Sequence, residues 1–187
     1  MFAKNQYMKV IYFLLLFAFV QSAHAQDFCK QIKKDISDDK TVFDFASPFD
    51  PVDAPPIRVT RNYSTNGEYA YDNFIVVFQI PCPLDDVTAK AADGSTMDKE
   101  EYLITVTFDD NTTIKDDTIK INHDLTDDRS QALRIAYFPL NARNIQNFTT
   151  KKITKFSLAK HELAVTPELA NAVMHYIICI KAEKEVK

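Results

Sequence analysis

The chain closes on MHYIICIKAEKEVK, where His175 and Cys179 stand four residues apart. On a helix that spacing puts both side chains on one side, a turn apart. A catalytic cysteine needs a stabilised thiolate and an oriented histidine beside it. Cys179 falls near the C-terminal end of its segment, where the helix dipole disfavours negative charge, and Lys181 offsets this only in part. Zinc is the second chemistry the pair allows. It needs two further ligands, which only the fold could bring from Cys29 and His161, because the chain has no C-x-x-C and no H-x-x-x-H. A disulfide is the third. The expected bond is Cys29–Cys179, with Cys82 as the alternative partner and buried thiols as the remaining reading.

Oxygen ligands are concentrated in DDNTTIKDD, which carries Asp109, Asn111 and Thr113 at alternating positions and Asp116 and Asp117 beyond them. Calcium takes six or more oxygens from such loops, so Asp109, Asn111, Asp116 and Asp117 form the candidate metal set. The stretch lacks the glycine and distal glutamate of an EF-hand, and a hairpin turn explains it equally. RNYSTNGEYAYDN gathers Tyr63, Tyr69 and Tyr71 around one turn. Tyrosines on an exposed loop stack on sugars or anchor a protein partner, and these three are the candidate binding residues; at a hairpin they also serve cross-strand packing. With two glycines in all, the chain has no phosphate-cradling loop, no dinucleotide fingerprint and no nucleophile elbow, and nothing in it calls for a cofactor. Asn122-His123-Asp124 sets a histidine beside a carboxylate, but neighbours on a strand point to opposite faces.

The compartment follows from the N-terminus. Lys4 and Lys9 precede the apolar run VIYFLLLFAFV, and Ala23-His24-Ala25 supplies an A-x-A cleavage site. Residues 1–25 therefore read as a signal peptide and 26–187 as one exported domain, periplasmic or extracellular, with no stable membrane insertion after cleavage. An oxidising compartment lets disulfides persist, and three cysteines allow one intramolecular bond with a thiol left over. Without Lys4 and Lys9 the formal net charge goes from −4 to −6, which disfavours nucleic acid as a partner. The acids collect in 85–128 and the bases in 129–187.

The elements that must position these groups are mostly strands. DFCKQIKKDIS reads as a short helix with Phe28, Ile32 and Ile36 on one stripe. TVFDFA, IRVTRNY, YLITVTF, TIKIN, ALRIAYF, KITKFSL and HELAV read as strands, and FIVVFQI as a central strand covered on both faces. In YLITVTF the alternation sets Tyr102, Ile104, Val106 and Phe108 on one face. Asn66-Gly67 marks a hairpin, and the proline-rich SPFDPVDAPP a connection. NARNIQNF reads as a helical turn. The last helix is the best marked, with Thr166 as N-cap, Pro167 at the first position and an apolar stripe of Leu169, Val173, Tyr176, Ile177 and Ile180. The fold class is α+β, a mostly antiparallel sheet or sandwich with a short N-terminal helix and an amphipathic C-terminal one.

TKKITKFSLAKHELAVTPELANAVMHYIICIK resembles the end of small exported single-domain proteins of Gram-negative bacteria, a group with no assigned function. Their pattern is an I-x-x-F-x-L strand, a short strand and a terminal helix closing with a cysteine. YLITVTFDDNTTIKDDTIKIN is similar to their central hairpin, which usually has a glycine where Asn111 stands. The resemblance implies a β-rich envelope protein and transfers no catalytic residue. The leading expectation is a non-enzymatic binding or structural module whose partner is a protein or glycan of the envelope. The alternatives are an envelope hydrolase with acidic catalytic residues and a calcium-dependent binding module.

Overall fold

The computed structural model describes residues 28–38, 42–48, 55–67, 70–90, 96–98, 100–125 and 131–183. Its frame is a nine-stranded antiparallel sheet. In spatial order the strands are β1 (Lys33–Ile36), β2 (Val42–Ala46), β3 (Ile57–Ser64), β4 (Tyr71–Cys82), β9 (Ala132–Pro139), β8 (Thr113–Leu125), β7 (Glu101–Phe108), β10 (Ile153–Leu158) and β11 (His161–Ala164). A separate small ribbon pairs β5 (Thr88–Lys90) with β6 (Thr96–Asp98). Among the described residues the helices are α1 (28–31), α2 (Ile145–Thr150) and α3 (Pro167–Glu183), and a 3₁₀ turn spans Leu84–Asp86.

The sheet is folded over on itself. Strand β8 makes the corner: its first part pairs with β7, and Asn122–Leu125 pairs with β9. Phe78 of β4 consequently meets Phe156 of β10 with ring centroids 4.9 Å apart, although three strands separate β4 from β10 in the sheet. Phe138 and Phe108 close on Phe148 of α2 in the same way. Helix α3 lies against both β3 and β10 and covers the open side between the layers. Its start is held as the sequence implies, with Leu169 N donating to Thr166 Oγ1 at 3.3 Å. Val173, Tyr176, Ile177, Cys179 and Ile180 are buried, and Leu169 packs against the core from its margin.

Two local readings need correcting. Among the described residues of the expected N-terminal helix, 28–31 are helical and Lys33–Ile36 is an edge strand on β2. The four strand residues are exposed, so no apolar stripe drives a longer helix, and Ile36 is 45% exposed. In β7 the alternation breaks at Leu103, whose φ is 84°. The register with β8 shifts there, so Ile104, Val106 and Phe108 are buried while Tyr102 faces solvent. Strand β4 behaves as expected, buried without interruption from Val76 to Ile80. Its outer face is covered in part by the proline-rich connection, where Pro55 and Pro56 carbonyls accept from Gln79.

Candidate functional site: a polar corner inside the folded sheet

Cys29 and Cys179 are joined across 150 residues, with Cα atoms 5.3 Å apart. Cys82 is the free thiol. The bond ties α1 to α3, and the surrounding contacts explain the meeting. Phe28 stacks on His175 at 5.0 Å and meets Tyr176 edge-on at 5.5 Å, while the Tyr176 hydroxyl donates to Gln31 Oε1 at 2.8 Å. His175 is thus a packed ring. Burial, with Lys152 adding to it, pushes its pKa down, so it is neutral. With the sulfur of Cys179 bonded, the His175–Cys179 spacing is neither a dyad nor half of a zinc site.

Of the three tyrosines, Tyr63 and Tyr71 lie on opposite faces of the sheet. Tyr63 is 8% exposed and stacked on Phe43 at 4.7 Å, so it is a core residue. Tyr71 pairs with Ser64, the neighbour of Tyr63, and therefore lies on the opposite face, 40% exposed. Tyr69 falls outside the described residues.

The proposed calcium oxygens are dispersed as well. Asp109 and Asn111 sit in the β7–β8 turn, while Asp116 and Asp117 lie along β8. Asn111 takes φ 63° and donates its N–H to the Phe108 carbonyl at 2.9 Å, a turn conformation that suits glycine or asparagine. The neighbouring carboxylates are spent locally. Hydrogen bonds from Lys151 and from Thr112 hold Asp110 at about 2, and Asp116 accepts from Thr118 N and Oγ1. Among the described residues, no three His, Cys, Asp or Glu side chains form a metal-ligand group.

A constellation that sequence reading missed lies where β4, β7, β8, β9 and β11 converge. Arg134 is fully buried on the core face of β9, opposite His123 of β8 and Ile80 of β4. Its Nε donates to Glu101 Oε2 at 2.8 Å and its Nη2 to the Asp86 carbonyl at 3.1 Å. His123 Nε2 stands 3.5 Å from the same Glu101 oxygen, at the limit of hydrogen-bond range, and makes no aligned bond. His161, on β11, feels the charges of Arg134, Glu101 and Asp86, and its buried Nε2 has no partner. Arg134 Nη1 is likewise buried without a partner.

The electrostatics of the corner are those of a resting site. Burial raises the Glu101 pKa, but the hydrogen bond and charge of Arg134, helped by His123, outweigh it and hold the carboxyl below its usual value. Burial keeps the Cys82 thiol protonated against the pull of Arg134, and its Sγ lies 3.5 Å from the Ala132 carbonyl. Burial first and Arg134 second push His161 down, so it is neutral. Glu101 is thus held as a carboxylate and Cys82 as a thiol. The corner instead offers buried, directed nitrogen atoms.

A groove of about 290 Å³ lies over β1, β2 and β3 and includes Lys34, Asp44, Phe45 and Arg61. Its best-placed cations are already engaged. Arg61 makes a two-pronged pair with Asp72 at 2.9 Å and Lys34 pairs with Glu183.

No family model, no curated protein and no solved structure matches the chain. Among the described residues, no helix is long and apolar enough to cross a membrane.

Proposed function

We propose that this protein is an exported component of the cell envelope that works by binding a protein or glycan partner without chemical turnover. The Cys29–Cys179 disulfide carries the reading. A bond of this kind persists in oxidising compartments and is rare where thiols are kept reduced. It agrees with the signal-peptide pattern of residues 1–25, and the proposed location is periplasmic or extracellular. Binding is favoured over hydrolysis by the state of the buried titratable groups. A glycoside hydrolase keeps one carboxyl protonated by raising its pKa, whereas Glu101 is pushed the other way by Arg134. Calcium-dependent binding has less support, because Asp110 is engaged by Thr112 and Lys151 and Asp116 by Thr118.

The test is to incubate purified protein with peptidoglycan fragments and envelope glycans, follow the melting temperature, and recover each compound for mass analysis. The reading expects a melting shift from a compound that is recovered intact. Recovery of cleaved material would replace it with the hydrolase reading.

A further inference from the structure

We propose that the outer face of strands β1 to β4 binds a neutral glycan, which lies across the strands in the groove over β1, β2 and β3. The proposal rests on the reading of the protein as a binder and names the ligand class and its site.

The strand register defines the groove. Phe45 and Arg61 are buried on the core face, so their neighbours along β2 and β3 point outward. Two cross-strand rows result. One is Lys33 of β1, Ala46 of β2 and Thr60 of β3. The other is Asp35, Asp44 and Asn62, and it continues to Asn73 of β4. Both rows line the groove of about 290 Å³ as far as β3. Lys34, Phe45 and Arg61 line it between the rows; their side chains lie on the inner face, so they form its floor with their backbone.

The chemistry of the rows selects the ligand. Asp35, Asp44, Asn62 and Asn73 are exposed, and among the described residues none makes a side-chain hydrogen bond or ion pair. Other carboxylates are engaged within the protein, Asp72 by Arg61, Asp110 by Lys151 and Asp116 by Thr118. The row thus presents planar carboxylate and amide groups on successive strands, about 4.8 Å apart, a spacing on the scale of one sugar ring. A carboxylate accepts from two neighbouring hydroxyls at once, and an amide both donates and accepts. On the facing row, Ala46 leaves room for a ring and Thr60 adds a hydroxyl. Tyr71, 40% exposed, stands diagonal to Asn62 on the same face and offers an aromatic surface beside the row.

Charge favours an uncharged ligand. Lys34 and Arg61 are matched by Glu183 and Asp72, and Lys33 is set against Asp35 and Asp44. An anion would meet the two carboxylates. A metal cation would meet Lys33, and no three His, Cys, Asp or Glu side chains form a ligand group among the described residues. A peptide strand needs an open sheet edge, whereas β2 and β3 are paired on both sides.

The experiment titrates the purified, disulfide-bonded protein with triacetylchitotriose, cellotriose and maltotriose and follows its amide NMR signals. At least one sugar should move the Asn62 and Asn73 side-chain amides and the backbone amides around Lys34, Phe45 and Arg61. Asp44→Ala and Asn62→Ala should each weaken that sugar by about tenfold or more. Both side chains are exposed, so the melting temperature should stay within about 2 °C. Tyr71→Ala should weaken binding severalfold, and Tyr71→Phe should not. Asp117→Ala, which removes an exposed carboxylate from β8, should leave it unchanged. No shift with any of the three sugars, or binding that survives both Asp44→Ala and Asn62→Ala, would overturn the site. Calcium moving the same amides where the sugars do not would overturn the glycan in favour of a cation. If the site fails while an envelope compound still shifts the melting temperature and is recovered intact, the binding reading survives without it. Cleavage of the sugar would overturn the binding reading even if these amides moved.

Discussion

Removing the disulfide should destabilise the protein through its unfolded state. The bond closes a loop of 150 residues. Chain-entropy arithmetic for a loop of that size gives about 5 kcal/mol at 25 °C, and measured bonds more commonly give about 2–4 kcal/mol. For a domain of this length each kcal/mol moves the melting temperature by roughly 2–4 °C, so the Cys29→Ser/Cys179→Ser variant should melt about 4–16 °C lower. The folded state should change little. Phe28 still stacks on His175, and Tyr176 still donates to Gln31, so α1 stays docked on α3 without the covalent link. Circular dichroism melts of the wild type, the wild type with reductant and the double variant provide the assay. Reductant should bring the wild type down to the double variant and leave the variant where it was. A drop of under about 2 °C in the double variant would refute the loop-closure reasoning.

The remaining predictions concern the interior, the tyrosines and the β7–β8 turn. Glu101→Leu leaves Arg134 charged, buried and short of its partner, and should cost roughly 3–5 kcal/mol in denaturant titration; Arg134→Met/Glu101→Leu should recover most of that. Because the folded-state pKa of Glu101 lies below its ordinary 4.5, the pair contributes in full above that value and is lost as pH falls through the lower one. The stability gap between wild type and Glu101→Gln should therefore shrink below about pH 4.5 and stay constant above about pH 6. Tyr63→Ala should cost about 3–5 kcal/mol and Tyr71→Ala less than about 0.5 kcal/mol, the reverse of what an exposed tyrosine platform would give in the same titration. Asn111→Ala should destabilise by about 1 kcal/mol because alanine resists positive φ, while Asn111→Gly should be close to neutral.

How much of this was legible from sequence depended on whether the determinant was local. Thr166-Pro167 announces the helix start because a cap is a matter of adjacent residues. The apolar run at 74–80 announces a strand buried on both faces for the same reason. The pairing of Cys29 with Cys179 was accessible through the signal-peptide pattern and through two segments that each carry an apolar stripe. The polar corner was not. Its carboxylate and histidines come from strands that are neighbours only after β8 turns the sheet. Strand ALRIAYF has two faces, Leu133-Ile135-Tyr137 and Ala132-Arg134-Ala136-Phe138, and hydrophobicity alone favours the first as the core face. The fold buries the second, and Tyr137 is 48% exposed. Pairing His123 with Asp124 was rightly set aside on strand geometry; its carboxylate neighbour is Glu101, across the β7–β8 pair. The one usable signal was Arg134 in phase with Ala136 and Phe138, a charge on an otherwise apolar row. Leu103 had no signal at all, since its positive φ arises from the shifted pairing of β7 on β8.

Export into an oxidising compartment is the central claim, and the intact mass of the protein recovered from a Gram-negative host tests it most directly. Osmotic release separates the periplasm from the cytoplasm, and alkylation without reductant precedes the mass measurement. The account predicts a periplasmic or secreted chain beginning at Gln26, with Cys29 and Cys179 joined and Cys82 protected from the reagent until the protein is unfolded. A cytoplasmic chain that retains residues 1–25 and takes up label at all three cysteines on unfolding would contradict it.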